Sequence, residues 1–140
     1  MGEDEVAIVI EDKPSKETLA VLDNGLDVYN AQFSPEHFEE FVTALKTPAG
    51  EIKGGIYAIS WAGMLFIKWL WIDEAYRRHG HGRALMAAAE AEGRRRGCTA
   101  VWLDTFEFQA RPFYLKLGYA QFGTLDYPAG FQRYFLQKAL

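Results

Sequence analysis

A run of arginine, histidine and glycine residues, placed between an apolar segment and a helix-forming segment, is the part of the sequence best suited to bind an anion. The apolar segment covers residues 64–71, and residues 84–92 are rich in strong helix formers. Gly80 and Gly82 stand where the helix should begin, and glycines let the main chain approach a ligand closely. Positive charge around the same turn comes from Arg77, Arg78 and Arg83. Because a helix N-terminus offers unpaired N–H groups that favour phosphate, the stretch predicts an anion site, such as one for a pyrophosphate.

Two common phosphate-binding motifs fit this stretch poorly. A P-loop requires Gly-x-x-x-x-Gly-Lys-Ser/Thr, and the sequence has no such run. The dinucleotide fingerprint finds two of its glycines in Gly80 and Gly82, and Asp104 stands about twenty residues further on, where a ribose-binding acid would lie. Its third glycine position is Leu85, however, and so short a chain offers a single strand–helix–strand unit. Dinucleotide binding is therefore the weaker alternative.

Length and composition predict one folded domain covering residues 1–140. Hydrophobic residues make up 49% of the chain, which is enough for a sizeable core and excludes a disordered protein. The net charge of −4 argues against general nucleic-acid binding and suits a cationic substrate.

Cysteine usage and hydropathy predict a cytoplasmic protein that does not insert into a membrane. Cys98 is the single cysteine in the sequence, so no internal disulfide forms and a reducing compartment fits best. The first five residues are acidic, unlike a signal peptide. The longest apolar run is too short to span a bilayer.

The N-terminal segment is expected to form a strand and helical structure. Residues 6–10 are largely β-branched, which indicates the first strand. Ser15 is a candidate N-cap for the helical region that follows. Because Asn24-Gly25 interrupts that region, we expect either two short helices or a helix that ends there.

An antiparallel meander of three strands is predicted next. The strands cover residues 38–46, 51–61 and 64–72, and turn signals separate them. The third strand is apolar on both faces, which is typical of a central strand covered on both sides.

A strand–helix–strand unit should follow the meander. The helix begins near Gly82 and ends before Gly97, because glycine commonly follows the C-terminus of a helix. Leu85, Ala88 and Ala89 share its apolar face, and Glu90 is expected to point outward. The next strand, residues 100–103, should be parallel to the third. A helix over residues 109–117 and strands over residues 120–125 and 133–137 complete the chain.

Two motifs at this spacing carry a specific resemblance. The run Arg77-Arg78-His79-Gly80-His81-Gly82 matches Arg/Gln-x-x-Gly-x-Gly/Ala, and residues 110–119 match Ala-x-x-[Leu/Phe]-Tyr-x-Lys-x-Gly-[Phe/Tyr]. Together they resemble the GNAT superfamily of acyl-CoA-dependent N-acetyltransferases. The resemblance implies an α/β fold of the GNAT type (a mixed α+β sheet), with an antiparallel N-terminal meander, central parallel strands that splay apart, and about four helices.

The resemblance also implies acetyl-CoA as the co-substrate and gives each part of the first motif a role. The turn should hold the CoA pyrophosphate through the main chain of Arg78, His79, Gly80, His81, Gly82 and Arg83, while Arg77 helps to frame the loop. Main-chain groups of Leu70 and Ile72 should bind the pantetheine arm and the acetyl carbonyl.

Tyr114 matches the position of the general acid that protonates the departing CoA thiolate in this family. A phenol, with a reference pKa of about 10, is protonated at neutral pH. The attacking amine must be neutral, so another group has to accept its proton. The candidates for this base are Glu107, Asp104, Asp73 and Glu51.

Glu107 stands where the wider family often has asparagine. An ionised carboxylate cannot donate the amide hydrogen bond that asparagine gives to the cofactor. Either Gln109 donates that bond, or Glu107 serves the acceptor amine, which makes Glu107 the second catalytic candidate beside Tyr114.

The resemblance implies a small-molecule or peptide amine as the acceptor. A cationic acceptor could use the acids Glu36, Glu39 and Glu40, although these also fit a solvated surface. No metal is expected, because no cysteine or further histidine accompanies His79 and His81.

Three alternatives stay open at the level of sequence. The enzyme could use a different acyl-CoA, or the chain could bind CoA without turnover. A homodimer could form through aromatic residues near the C-terminus, namely Tyr127, Phe131 and Tyr134.

Overall fold

The computed structural model describes residues 5–34 and 37–140, which belong to two compact units that divide between residues 36 and 37. Glu36, one of the acids considered for a cationic acceptor, lies outside the described residues. A single domain over residues 1–140 stays a prediction.

The first unit contains the helix α1, Lys16–Asn30. Its N-terminus is capped as expected, because the N–H of Thr18 donates to Oγ of Ser15 at 3.0 Å. The expected break at Asn24-Gly25 is wrong: the helix continues through both residues, since one glycine costs a helix only about 1 kcal/mol. The strand expected over residues 6–10 is also wrong. These exposed residues join no sheet of the described structure, and β-branched residues favour a strand only where there is a sheet to pack into.

The second unit is built on a six-stranded mixed sheet. Its strands are β1 (Glu39–Lys46), β2 (Ile52–Trp61), β3 (Met64–Ile72), β4 (Ala100–Phe106), β5 (Ala120–Asp126) and β6 (Gln132–Ala139). Their order across the sheet is β1-β2-β3-β4-β6-β5. The pair β3–β4 is parallel and the other neighbours are antiparallel. The predicted meander and mixed sheet are thereby confirmed.

Two helices connect the strands of this unit. The helix α2, His81–Arg95, links β3 to β4, and α3, Arg111–Lys116, links β4 to β5. A 3₁₀ turn, Glu74–Tyr76, lies between β3 and α2. The described residues thus contain three α-helices, roughly the number expected, and none of these helices is long and apolar enough to cross a membrane.

The two central parallel strands separate part of the way along their length. Their paired residues end at Ile67 and Leu103, although β3 continues to Ile72 and β4 to Phe106. On the other side of β3, Tyr57 pairs with Trp69 and Ala58 with Ile67, so Lys68 is an extra residue without an opposite partner. Such a bulge bends a strand and increases its twist. The bulge therefore accounts for the splayed strands that the family resemblance implied.

The bulge also determines which side chains of β3 are buried. Leu65 and Ile67 lie in the core on the α2 side of the sheet, where the packing is close. A Cβ on Gly93 of α2 would lie 2.8 Å from Cδ2 of Leu65. Trp69 and Trp71, on the opposite face, remain 63% and 55% exposed. The expectation that β3 is covered on both faces is therefore wrong for its second half.

Three further expectations about exposure are wrong. Glu90 of α2 is buried, because Oη of Tyr119 donates to its Oε2 at 2.7 Å and Nζ of Lys138 donates to its Oε1 at 3.0 Å. Ala88 is exposed, and Met86 takes its place on the buried face. Tyr134 is buried beneath the guanidinium of Arg111, 3.8 Å from the ring centroid, so it cannot supply an exposed dimer contact.

Glu90→Ala should destabilise the protein by about 2 kcal/mol or more, because it leaves a buried hydroxyl and an ammonium without their acceptor. Urea denaturation measures this loss. Glu92→Ala is the matched control in the same helix: the side chain of Glu92 is 26% exposed, against 8% for Glu90, and its partner Arg95 is 70% exposed, so the loss should be clearly smaller. Equal losses in the two variants would contradict the structural role of the Glu90 cluster.

Candidate active site

The gap between β3 and β4 opens into a cleft of about 1000 Å³. The ends of both strands, the turn before α2, the first residues of α2 and the helix α3 form its walls. Eleven of the residues singled out in the sequence line it, namely Leu70, Ile72, Arg77, Arg78, Gly80, His81, Gly82, Arg83, Asp104, Gln109 and Tyr114. The gap thus brings both motifs to one cavity.

The turn before α2 is shaped by left-handed residues and by Arg77. Arg78 and Gly80 have φ angles of 64° and 80°, and such conformations build anion-binding concavities from main-chain N–H groups. Nε of Arg77 donates to the carbonyl oxygen of Ile72 at 2.8 Å, which ties the turn to the end of β3. The side chain of Arg77 therefore holds the turn against the end of β3, and its role toward a cofactor stays a prediction.

The two glycines of this turn are required for different reasons. A Cβ on Gly80 would meet no atom within 4 Å, so its positive φ is what favours glycine. A Cβ on Gly82 would lie 3.2 Å from Cζ of Phe113 and 3.5 Å from Cδ1 of Ile72. Gly82 thus permits the close approach of α2 to α3 and β3.

The exposed edge of β3 faces the gap through alternate residues. The N–H of Asp73 donates to the carbonyl oxygen of Lys53, on the β2 side, at 2.7 Å. Because successive residues of a strand direct their main-chain groups to opposite sides, Leu70 and Ile72 direct theirs toward β4. Beyond Ile67 no residue of β4 pairs with them. The main-chain groups of Leu70 and the N–H of Ile72 therefore face the gap, while the carbonyl oxygen of Ile72 accepts from Nε of Arg77.

Tyr114 lies in α3 and is 6% exposed. Its ring packs edge-on against Phe113 and Tyr119, with centroids 5.1 and 6.0 Å away. Burial, and next to it the negative charge of Asp104, raises the pKa of Tyr114 to about 12. The phenol therefore keeps its proton across the neutral range.

Asp104 is the first residue of β4 beyond the end of the parallel pairing, and its side chain lines the cleft. Nε and Nη2 of Arg133 donate to its Oδ1 at 3.0 and 2.9 Å. Sequence reasoning did not assign a role to Arg133. No signal in the sequence pointed to it, because its position depends on the register of β6, where Arg133 stands opposite Phe106, two residues from Asp104.

The other candidate bases lie away from the cleft and are bonded elsewhere. Oε1 of Glu107 accepts from the N–H of Gln132 at 3.0 Å, which joins the end of β4 to the start of β6. Asp73 caps the 3₁₀ turn through the N–H of Ala75, and Glu51 pairs with Lys53. None of the three lines the cavity, and a catalytic role for Glu107 stays a prediction.

Gln109 lines the cleft, and its Oε1 accepts from the N–H of Phe106 at 2.8 Å. This bond closes the connection between β4 and α3 and holds the amide group at the cavity wall.

The two histidines of the turn differ in position. His81 lines the cleft, whereas His79 does not, and their ring centroids are 6.0 Å apart. Within residues 5–34 and 37–140 no group of three or more His, Cys, Asp or Glu side chains could hold a metal ion. Metal-free chemistry stays a prediction.

Comparison with known proteins gives consistent matches. A sequence profile of the acetyltransferase (GNAT) family matches residues 9–119. Blasticidin-S acetyltransferase from Streptomyces morookaense is 35% identical over 105 residues, which cover 73% of this chain and 76% of that protein. The crystal structure of an acetyltransferase from Bacillus cereus ATCC 14579 is 30% identical, with a TM-score of 0.81 over 94% of this chain and 98% of its own. The paia N-acetyltransferase from Thermoplasma acidophilum, crystallised with coenzyme A, shares the fold at 17% identity and a TM-score of 0.60, over 90% of this chain and 72% of its own.

The raised pKa of Tyr114 should be visible in the pH dependence of stability. The contribution of the protonated Tyr114 to the free energy of unfolding is fully present below the pKa of tyrosine in the unfolded chain, about 10. It is lost as the pH rises toward the pKa of about 12 in the folded protein. Between about pH 9 and about pH 11, the unfolding free energy of the wild type should therefore fall by about 1 kcal/mol relative to Tyr114→Phe. Urea titrations of both proteins measure this difference, and a constant difference would contradict the shift.

Proposed function

The chain belongs to the acetyltransferase (GNAT) family, and from that membership we propose that it transfers the acetyl group of acetyl-CoA to a primary amine by direct attack. The observation that carries the proposal is the gap between β3 and β4, which joins the glycine-bearing turn to Tyr114 in one cavity. A cofactor with an anionic end and an extended arm that ends in a thioester fits the cavity that leads from the turn to Tyr114.

The path divides into an anion end and an extended section. The main chain of residues 78–83 and the positive end of α2 suit the pyrophosphate, and the arginines around the turn add charge. Main-chain groups of Leu70 and Ile72 suit the amide groups of the pantetheine arm, as an added strand would. The amide of Gln109 stands at the wall of the same cavity, where it could donate to the cofactor.

The reaction then needs two proton movements. The neutral nitrogen of the acceptor attacks the thioester carbon, the C–S bond breaks, and the CoA sulfur leaves with the electron pair. Tyr114 donates a hydrogen bond to the developing thiolate and then its proton. The nitrogen loses one proton to a base or to water. Among the described residues that line the cleft, none forms an evident nucleophile–base pair, which favours direct attack over an acyl-enzyme.

The acceptor is proposed to be a small-molecule amine. The similarity to a blasticidin-S acetyltransferase, at 35% identity over most of both chains, makes blasticidin S the first acceptor to test. Peptide N-termini and polyamines complete a panel that covers other classes.

Gly80→Ala should weaken acetyl-CoA binding about tenfold or more, because an alanine Cβ disfavours a φ of 80° and shifts the main-chain N–H groups of the turn. Gly130→Ala is the matched control. Gly130 also has a positive φ, 99°, and a Cβ there would meet no atom within 4 Å, but it lies in the turn between β5 and β6. Isothermal titration calorimetry should show an altered Kd in the Gly80 variant alone; equal Kd values would contradict the phosphate role of the turn.

Thiol release from acetyl-CoA in the presence of the amine panel tests the activity itself. Tyr114→Phe should lower kcat about 100-fold while leaving the Kd for acetyl-CoA nearly unchanged, since the variant lacks only the proton donor. Tyr119→Phe is the control, because it removes a neighbouring buried hydroxyl that is bonded to Glu90 and does not line the cleft.

The outcomes separate the alternatives. An unchanged kcat in Tyr114→Phe would overturn the general-acid role. Tight acetyl-CoA binding with no thiol release by any amine would favour a CoA-binding module without turnover, and release from a longer acyl-CoA alone would favour another acyl donor.

A further inference from the structure

The charges around the cleft are strongly asymmetric. Six basic side chains line it, those of Lys68, Arg77, Arg78, Arg83, Lys116 and Arg133. Among the described residues that line it, Asp104 carries the one acidic side chain. The basic groups around the turn suit a phosphate-bearing ligand, but they would repel an acceptor that arrives as a cation. A cationic acceptor therefore has one carboxylate in the cleft to bind.

Arg133 contacts the carboxylate of Asp104 through one of its two oxygens. Both donors from Arg133 reach Oδ1, and Nη1 of Arg133 also donates to Oη of Tyr127 at 3.3 Å. The guanidinium lies 5.3 Å from the ring centroids of both Phe106 and Phe135. Within residues 5–34 and 37–140 no group donates to Oδ2, although the side chain is only 16% exposed. The second oxygen thus has no bond from the described residues, while the first is bonded to Arg133.

Asp104 also lies at the point where the reacting atoms should meet. It is the first residue of β4 past the last paired residue, Leu103, so it stands where the gap begins. Its charge reaches Tyr114, which is proposed to face the sulfur of the thioester. A ligand that lies between these two side chains has the proton donor Tyr114 on one side and the carboxylate of Asp104 on the other.

We propose that Asp104 is the residue that binds the acceptor amine, through Oδ2, and that it selects acceptors whose reacting nitrogen arrives as an ammonium ion. The inference rests on the proposed acetyl transfer and adds the class of acceptor. A carboxylate accepts a strong, charge-assisted N–H bond from an ammonium and a weaker one from the neutral amine, so it favours cationic acceptors and still keeps the nitrogen beside the thioester after deprotonation. Arg133 is a positioning residue, because it orients the carboxylate.

A cross-strand ion pair that only joins β4 to β6 is the competing explanation. Asp104→Asn and Arg133→Gln break the same ion pair, and Arg133→Gln also removes the contacts of the guanidinium with Tyr127 and with two phenylalanine rings, so a purely structural role predicts at least as large an effect for Arg133→Gln. Only Asp104→Asn removes the charge that binds the amine. The two variants therefore separate an acceptor-binding role from a structural one.

Steady-state thiol release with acetyl-CoA is measured for both variants, with blasticidin S, spermidine and benzylamine as cationic acceptors and aniline as a neutral primary amine. Asp104→Asn should raise KM for the cationic acceptors about 10- to 100-fold, the range that a hydrogen bond to a charged group supplies. The Kd for acetyl-CoA and the KM for aniline should change less than about threefold. Arg133→Gln should raise the KM of the cationic acceptors less than Asp104→Asn does. Asp126→Asn, an exposed aspartate on β5, should leave all values unchanged.

Binding without turnover provides the second readout. Quenching of tryptophan fluorescence by benzylamine in the CoA-loaded protein should be weakened in Asp104→Asn by a similar factor. Equal amine KM values in the wild type and Asp104→Asn would overturn this inference while leaving acetyl transfer intact, as would equal KM increases in the Asp104 and Arg133 variants. Absence of thiol release with every amine would overturn the proposed function. Absence of benzylamine binding to the wild type would overturn the role of Asp104.

Discussion

The separation of β3 from β4 is the constraint on which the site depends. Four residues of each strand are paired, up to Ile67 and Leu103, and then the strands part. An unpaired strand edge inside a protein is costly unless another group takes its hydrogen bonds. The bulge at Lys68 allows β3 to keep its bonds to β2 while it turns away from β4. The cleft is therefore a consequence of strand geometry. The main chain defines its shape, and the surrounding residues provide its charged and titratable side chains.

That space is organised by charge as well as by shape. The arginines of the turn and the start of α2 stand at one end, and Asp104, which is partly buried, stands where the strands begin to separate, with its charge acting on the buried Tyr114. Burial keeps Tyr114 protonated by raising its pKa, whereas Arg133 balances the charge of Asp104. In the proposed function, this arrangement separates the binding of an anionic cofactor from the transfer of protons. A cationic acceptor would be attracted to Asp104 alone among the described residues of a cleft whose other charged side chains are basic.

Local chemistry in the sequence was sufficient to predict the elements that depend on local interactions. The bounds of β3, the N-cap at Ser15 and the positive φ of Gly97 follow from turn, cap and periodicity rules. The turn before α2 and Tyr114 could be placed because two motifs stand at a specific spacing.

The features that could not be predicted depend on residues that are distant in the sequence. Glu90 is buried because Tyr119 and Lys138 reach it from elsewhere in the chain, and residues 6–10 form no strand because propensity does not supply a pairing edge. The bond from Glu107 to Gln132 and the pairing of Arg133 with Asp104 also depend on the register of β6, which no local pattern reveals.

The Glu90 cluster has a consequence for the order in which the protein folds. Its three members come from α2, from the segment after α3 and from the last strand, so its contacts span 29 and 48 residues of sequence. Contacts between such distant residues form late, because closing long loops must precede them. The helix α2, whose N-terminus follows the glycine-bearing turn at the cleft, therefore gains its full protection against local unfolding only after β6 has joined the sheet. A chain that has folded only through β4 would contain the turn and α2, but would hold them without the interactions of the final strand.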